Sequence, residues 1–288
     1  MRAHAWGVFT RIQREWPAWP RSDVVLGKPD RIFRPLQPFR DRGRLVREQL
    51  PIVFAVAFDP VAAQHIRRNR LAARAGLTGF PAAVPEFPRD AIAIKLVWYP
   101  VHAHRPTMLP IWDDAPARRG GNPDTTWRRR VPIDVNDFIH AELHAGPELA
   151  AARAASGDPT LEPGDHVVLI GMHVSTKEIP DWVWATLWWH DRPDAGPYAA
   201  GRPPELAGAA AHYLMDVAYS DAHPCMNPWL EARFPGGTTS NCLACHQRAA
   251  LGATDYLPVA RAVLPAGDPY FHGKITTDFV WSLALEAR

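Results

Sequence analysis

The chain has 288 residues, 47% hydrophobic and 22% charged, with a formal net charge of +2. That length buries a substantial core, and the near-neutral balance argues for no polyanionic partner; no basic–aromatic stripe points to nucleic acid. No run of about 18 apolar residues is present, so no membrane-spanning helix is predicted.

Residues 1–48 are rich in Arg, Pro and Trp with weak periodicity, and read as an irregular segment wrapped on the surface. Residues 49–288 read as one domain. Leu50 to Phe58 is an apolar run that predicts a buried strand. Asp59-Pro60 then opens a helix, with aspartate at N-cap and proline at the first position, running to about Ala75. Its Arg67, Arg68, Arg70 and Arg74 form a solvated face. Ala91 to Val101 alternates as a strand, with Ile92, Ile94, Leu96 and Trp98 on one face and Ala91, Ala93, Lys95, Val97 and Tyr99 on the other. Residues 105–132 read as a long loop carrying Arg128-Arg129-Arg130. Asp134 to His144 reads as a short helix, and residues 145–164 as an Ala/Gly/Pro connection. His166 to Val174 and Trp182 to Trp189 are two strong strands joined as a hairpin. Residues 203–218 read as a helix. Thr276 to Leu285 is apolar enough to dock on the body. Strands and helices mix without βαβ regularity, so the fold class is α+β: an antiparallel sheet with peripheral helices and long ordered loops.

One motif carries chemistry. Cys242-Leu243-Ala244-Cys245-His246 is C-x-x-C-H, which reads as the attachment site of a c-type haem. Two thiols three positions apart add to the two vinyl groups on one porphyrin edge, and the histidine that follows reaches the iron as proximal ligand. Ser240 or Asn241 caps a helix that starts at the motif. A redox dithiol wants a βαβ context and a helix N-terminus. A zinc site wants a second Cys/His pair, and Cys225 stands alone. The cysteine count allows one haem c, lying against the sheet.

Other constellations are weaker. His102-Ala103-His104 and the pair His140 and His144 read as surface histidines. The second pair lacks the H-E-x-x-H order of a zinc protease. The only lysines are Lys28, Lys95, Lys177 and Lys274. Lys95 lies mid-strand among apolar residues, where a lysine is costly unless paired and tends to lose its proton.

Three segments together resemble one family. They are Phe87-Pro88-Arg89-Asp90-Ala91-Ile92-Ala93-Ile94-Lys95-Leu96-Val97-Trp98, the tryptophan-rich strand Trp182–Trp189, and Cys242–His246 followed by Asp255-Tyr256. This pattern resembles the β-sheet c-type cytochromes, which include hydroxylamine-oxidising enzymes with a lysine-crosslinked haem and the nitric-oxide-binding β-type cytochromes c′. The resemblance implies that Cys242 and Cys245 hold the haem, that His246 is proximal, and that Lys95 lies at the crosslinking or distal position. The chain departs from the family in its length, in Arg89-Asp90 where a turn glycine is common, and in continuing beyond Asp255-Tyr256 to Arg288.

The sixth iron position separates catalysis from electron transfer. Met172 and His173 are the candidate distal ligands and face opposite sides of their strand, so only one can point at the haem; Lys177, in the loop that follows, is a further candidate to overhang the pocket. The leading expectation is a redox enzyme or sensor binding a small ligand of the hydroxylamine or nitric oxide type at the iron, with a redox partner protein. The alternatives are an electron-transfer cytochrome with a six-coordinate haem, and a haem-free dithiol or structural protein. Bacterial c-type haem is attached outside the cytoplasm, which implies a periplasmic or secreted protein. Met1 to Pro20 lacks the apolar core of a signal peptide, so the sequence is read as starting after a removed signal or from a late start codon.

Overall fold

Three long apolar strands, each buried on both faces, set the centre of the molecule. The computed structural model describes residues 2–28, 32–35, 39–41, 44–46, 50–112, 129–232, 236–253 and 262–287. Its strands are β1 (Arg34–Pro35), β2 (Phe39–Asp41), β3 (Arg44–Val46), β4 (Val53–Phe58), β5 (Ile92–Val101), β6 (Met108–Ile111), β7 (Arg129–Pro132), β8 (His140–Glu142), β9 (His166–Thr176), β10 (Val183–Trp189), β11 (Tyr213–Ala218), β12 (Ala250–Leu251) and β13 (Ile275–Thr276). The helices, numbered in order, are α1 (Arg2–Ile12), α2 (Ser22–Val25), α3 (Pro60–Arg68), α4 (Arg74–Leu77), α5 (Pro147–Ser156), α6 (Cys242–His246) and α7 (Trp281–Glu286).

The fold is α+β. A seven-stranded sheet has the order β1-β4-β5-β9-β10-β11, with β8 added against β9, and every pairing in it is antiparallel. Residues directly opposite across antiparallel strands project to the same face. The register therefore gives two adjacent rows of opposite character. The row Ala55, Leu96, Met172, Leu187, Met215 is apolar and buried throughout. The next row, on the other face, is Val56, Lys95, His173, Thr186, Asp216. Polar groups thus line up across four strands on one side of the sheet.

The hairpin β9–β10 and strand β5 form where the alternation predicts them. Asp59 caps α3 as expected: its carboxylate accepts from the Ala62 N–H at 2.8 Å and from the Ile92 N–H at 3.0 Å, tying the helix start to β5. That helix stops at Arg68 because Arg70 turns into the left-handed region, φ 56°, so that the Leu71 N–H bonds the Ile66 carbonyl and its side chain is buried. The face assignment of β5 holds up to Leu96. A register shift between Val97 and Trp98, opposite β9, then puts Val97 and Tyr99 into the larger core with Trp98.

Elsewhere tertiary pairing overrides local reading. The expected helix at 203–218 is a short 3-10 turn, Gly208–His212, followed by β11, whose six residues pair with β10. The alanine run favours a helix locally, but Tyr213–Ala218 fits a half-covered pleated edge. The expected helix at Asp134–His144 is a 3-10 turn and strand β8, so His140 and His144 do not share a helix face. The expected connection at 145–164 contains α5, begun by Pro147 and ended by Gly157 at φ 73°; the proline-in, glycine-out signature was there to be read. Within the expected 105–132 loop, β6 and β7 pair. Arg129 is held by Asp191, and residues 113–128 lie outside the described residues. The 1–48 segment, expected to be irregular, opens with α1, which inserts Trp6, Phe9 and Ile12 into the main core. Their one-sided spacing was masked by the surrounding Arg and Trp. Among the described residues no helix is long and apolar enough to cross a membrane.

Candidate functional site around Cys242–His246

The motif forms one helical turn because its first residue follows a good cap. The Asn241 side-chain oxygen accepts from the Ala244 N–H at 3.1 Å, satisfying one of the free donors at a helix start. The same side chain donates to the Ser220 and His223 carbonyls at 3.0 and 2.7 Å. Of the two expected caps, Ser240 and Asn241, it is Asn241 that caps the turn, and it also fixes the turn to the segment leaving β11.

The turn packs beside β10 on the face carrying the polar row. The His246 ring lies 4.2 Å from the Trp184 ring, and Cys242, Trp184 and Trp182 share one apolar cluster with Phe58 and Leu283. His246 Nδ1 is 2.8 Å from the Phe279 carbonyl oxygen. A carbonyl only accepts, so Nδ1 carries the proton and Nε2 carries the lone pair. Burial pushes the His246 imidazole down to about 3; the Phe279 carbonyl works against this, while the charges of His173 and Lys95 add to it. The ring is a neutral imidazole with a fixed tautomer, which is the state a metal ligand requires.

The Phe279 carbonyl is itself held. Asp278 and Phe279 both sit in the left-handed region, at φ 45° and 70°, a conformation that costs non-glycine residues unless the surroundings impose it. The imposing contact is Lys177, fully buried at the end of the β9 strand. Its Nζ donates to Asp278 Oδ1 at 2.6 Å and to the Pro180 carbonyl at 2.7 Å. Asp278 Oδ2 accepts from the Phe87 N–H at 2.7 Å. Lys177 therefore does not overhang a pocket; it anchors the segment that orients His246. No sequence signal linked Lys177 to Asp278, which lies 101 positions away.

The thiols are protonated. Burial lifts Cys245 to about 12, and the Glu231 charge and Cys242 push the same way. Cys225 and Cys242 are raised as well, Cys225 through its contact with Cys242 and through burial. A reactive dithiol needs a depressed pKa, so this pair does not have the electrostatics of a thiol–disulfide catalyst.

Lys95 and His173 lie directly opposite each other across β5 and β9. Lys95 Nζ stands over the Phe54 ring, 4.6 Å from its centroid. His173 Nε2 is buried without a hydrogen bond and lies 3.5 Å from Glu231 Oε2. Burial works to raise the Glu231 carboxyl, yet the His173 charge and contact, the Asn227 N–H at 2.6 Å and the Lys95 charge together hold it below its ordinary value. Glu231 is the site residue that sequence reading missed: it stands in a short turn with no periodicity to mark it. Met172 belongs to the apolar row and is completely buried in the main core, on the opposite face from Lys95 and His173. The structure thus brings His246, Lys95 and His173 within electrostatic reach of one another and leaves Met172 apart.

The donor set fits a c-type haem: two thiols on one turn, then a neutral imidazole presenting Nε2. One feature needs adjustment, because Cys242 is turned into the protein against Cys225 rather than outward. Among the described residues no group of three or more His, Cys, Asp or Glu is arranged to hold a metal ion by itself. Asp255-Tyr256, the last element of the sequence pattern, lies outside the described residues. His102, expected at the surface, is clamped between Asp165 at 2.9 Å and Asp158 at 3.1 Å and serves to close the loop before β9. A cleft of about 530 Å³ between α1 and Pro203–Glu205 shares no lining residue with the motif. No protein-family model, curated protein or solved structure matches this chain.

Proposed function

We propose that this chain is an extracytoplasmic mono-haem c-type cytochrome, with Cys242 and Cys245 as the attachment thiols and His246 as the proximal ligand. The observation that carries this reading is the His246–Phe279 contact. It fixes the tautomer of the one histidine that the C-x-x-C-H spacing singles out, and leaves Nε2 as the electron-pair donor. Haem, when bound, supplies the redox-active iron; this chain's residues orient and tune. His246 enters neutral. Trp184, Trp182 and Phe279 exclude water from its flank. Lys95, on the sheet face that the motif packs against, supplies positive charge and is the residue that the family resemblance puts at the haem edge. Glu231 and His173 stand 3.5 Å apart on that face. This arrangement suits a redox enzyme or sensor for a small ligand of the hydroxylamine or nitric oxide type, exchanging electrons with a partner protein in the periplasm.

A second reading has one observation in its favour. His173 Nε2 is a buried nitrogen without a hydrogen bond, on the motif's side of the sheet. As a sixth ligand it would make the protein an electron carrier.

The test is expression with a haem-maturation system, followed by intact mass and ferric and reduced optical spectra. The proposal expects a mass increment of one haem that is lost when Cys242 and Cys245 are both replaced by alanine. A high-spin spectrum supports small-ligand chemistry. A low-spin spectrum that turns high-spin in His173→Ala establishes the electron carrier instead. Absence of covalent haem under conditions that load a control cytochrome overturns the reading.

A further inference from the structure

Cys225, the cysteine outside the motif, is not a bystander. Its Sγ lies 3.5 Å from that of Cys242, and the Cys242 thiol donates to the Cys225 carbonyl at 3.2 Å. The backbones are clamped side by side. Cys225 bridges Asn241 in parallel, the Cys225 N–H donates to the Ser240 carbonyl at 2.9 Å, and Asn241 holds the Ser220 and His223 carbonyls. Both thiols are buried, 2% and 7% exposed, so neither is solvated by water in place of the other. A disulfide has an S–S length of about 2.05 Å, which asks the two sulfurs to approach by about 1.5 Å.

We infer that Cys225 and Cys242 form a disulfide under oxidising conditions, in preference to the Cys242–Cys245 bond that the C-x-x-C spacing suggests. The oxidant is a small-molecule or protein disulfide. One thiolate of the pair attacks it, breaking its S–S bond and releasing one thiol. The second cysteine of the pair then displaces the other half. The two protons and two electrons lost by Cys225 and Cys242 appear as two thiols on the oxidant. Both thiols are held above the ordinary cysteine range, Cys225 by its contact with Cys242 and by burial, Cys242 against the lowering contact with Cys225, which burial and the Glu231 and Asp216 charges together outweigh, so exchange requires the buried pair to open and is slow. The inference concerns the haem-free chain and does not depend on the proposed function. Where that function holds, the bond withholds Cys242 from thioether formation until it is reduced.

The sequence makes the test clean. Arg233 separates Cys225 from Cys242, while Cys242 and Cys245 share the stretch before Arg248. Haem-free protein made without a maturation system is incubated with oxidised glutathione, denatured in N-ethylmaleimide, digested with trypsin and mapped by mass spectrometry without reduction. The expected product is the Cys225 peptide linked to the Cys242-containing peptide, with one maleimide on the latter. The link persists in Cys245→Ser and disappears in Cys225→Ser, while the far-ultraviolet spectrum of each variant reports that it is folded. An internal Cys242–Cys245 bond, or three alkylated cysteines after prolonged oxidation, overturns the inference. So does a cross-peptide link that Cys245→Ser abolishes.

Discussion

Replacing Lys177 by methionine removes the cation that holds the strained segment under His246. Methionine keeps the length of the side chain and its apolar contacts, so the change isolates charge. In the native protein Nζ is 2.6 Å from Asp278 Oδ1 and is wholly shielded from water. Without it the Asp278 carboxylate, only 6% exposed, keeps one donor, the Phe87 N–H. Glu86, 3.7 Å from Nζ but largely solvated, contributes little to the native balance because water screens it. Breaking a buried ion pair by removing one partner costs about 3–5 kcal/mol. One left-handed non-glycine residue costs about 1–3 kcal/mol; Asp278, still bonded to the Phe87 N–H, relaxes only in part and returns about 1 kcal/mol, so the net loss is about 2–4 kcal/mol. The double variant Lys177→Met/Asp278→Asn removes both charges and recovers part of that loss. Urea unfolding followed by tryptophan fluorescence measures both variants, with the slope against denaturant checked for constancy. A single-variant loss within about 0.5 kcal/mol, the range of an ordinary surface change, refutes the anchoring role. So does a double variant less stable than the single.

Three further changes probe the site and its support. Gly171→Ala places a Cβ 3.0 Å from Asn227 Oδ1 and 3.1 Å from its Nδ2. That amide is locked by Thr186, the Leu187 carbonyl and the Trp229 N–H, so overpacking costs about 1–3 kcal/mol; an unchanged urea midpoint contradicts this. Asn241→Ala deletes the cap and strands the Ser220 and His223 carbonyls, with a loss of about 2–3 kcal/mol and a lower yield of covalent haem; full stability by calorimetry argues against the role given to Asn241. Asp165 has a lowered pKa: burial acts to raise it, but the Ala103 and Glu162 N–H groups and His102 outweigh burial. Its unfolded-state pKa is about 3.9, so its stabilisation is present above that pH and is lost as pH falls through the lower folded value. Asp165→Asn therefore flattens the acid limb of a stability–pH curve below about pH 4, and an acid limb as steep as that of the parent protein excludes the assignment.

The amino-acid sequence by itself determined the local features that rest on nearest neighbours. C-x-x-C-H is a spacing, Asn241 and Asp59 are caps, and β5, β9 and β10 follow from alternation and β-branched or aromatic content. Each needs only a few contiguous residues to act. The elements misread from sequence are those whose state is set by a distant partner: β8 and β11 are strands because β9 and β10 offer them open edges. Only the tertiary structure decided which polar groups meet. The pairing of β5 with β9 sets Lys95 against His173, a chain reversal brings Glu231 to them, and the fold carries Asp278 from the C-terminal segment to Lys177. Side-chain chemistry gives no sign of these matches before the chain closes, because register between strands far apart in sequence is fixed by the burial of whole faces rather than by the residues that end up touching. The same holds for Cys225, whose neighbour is chosen by the backbone clamp at Ser240 and Asn241.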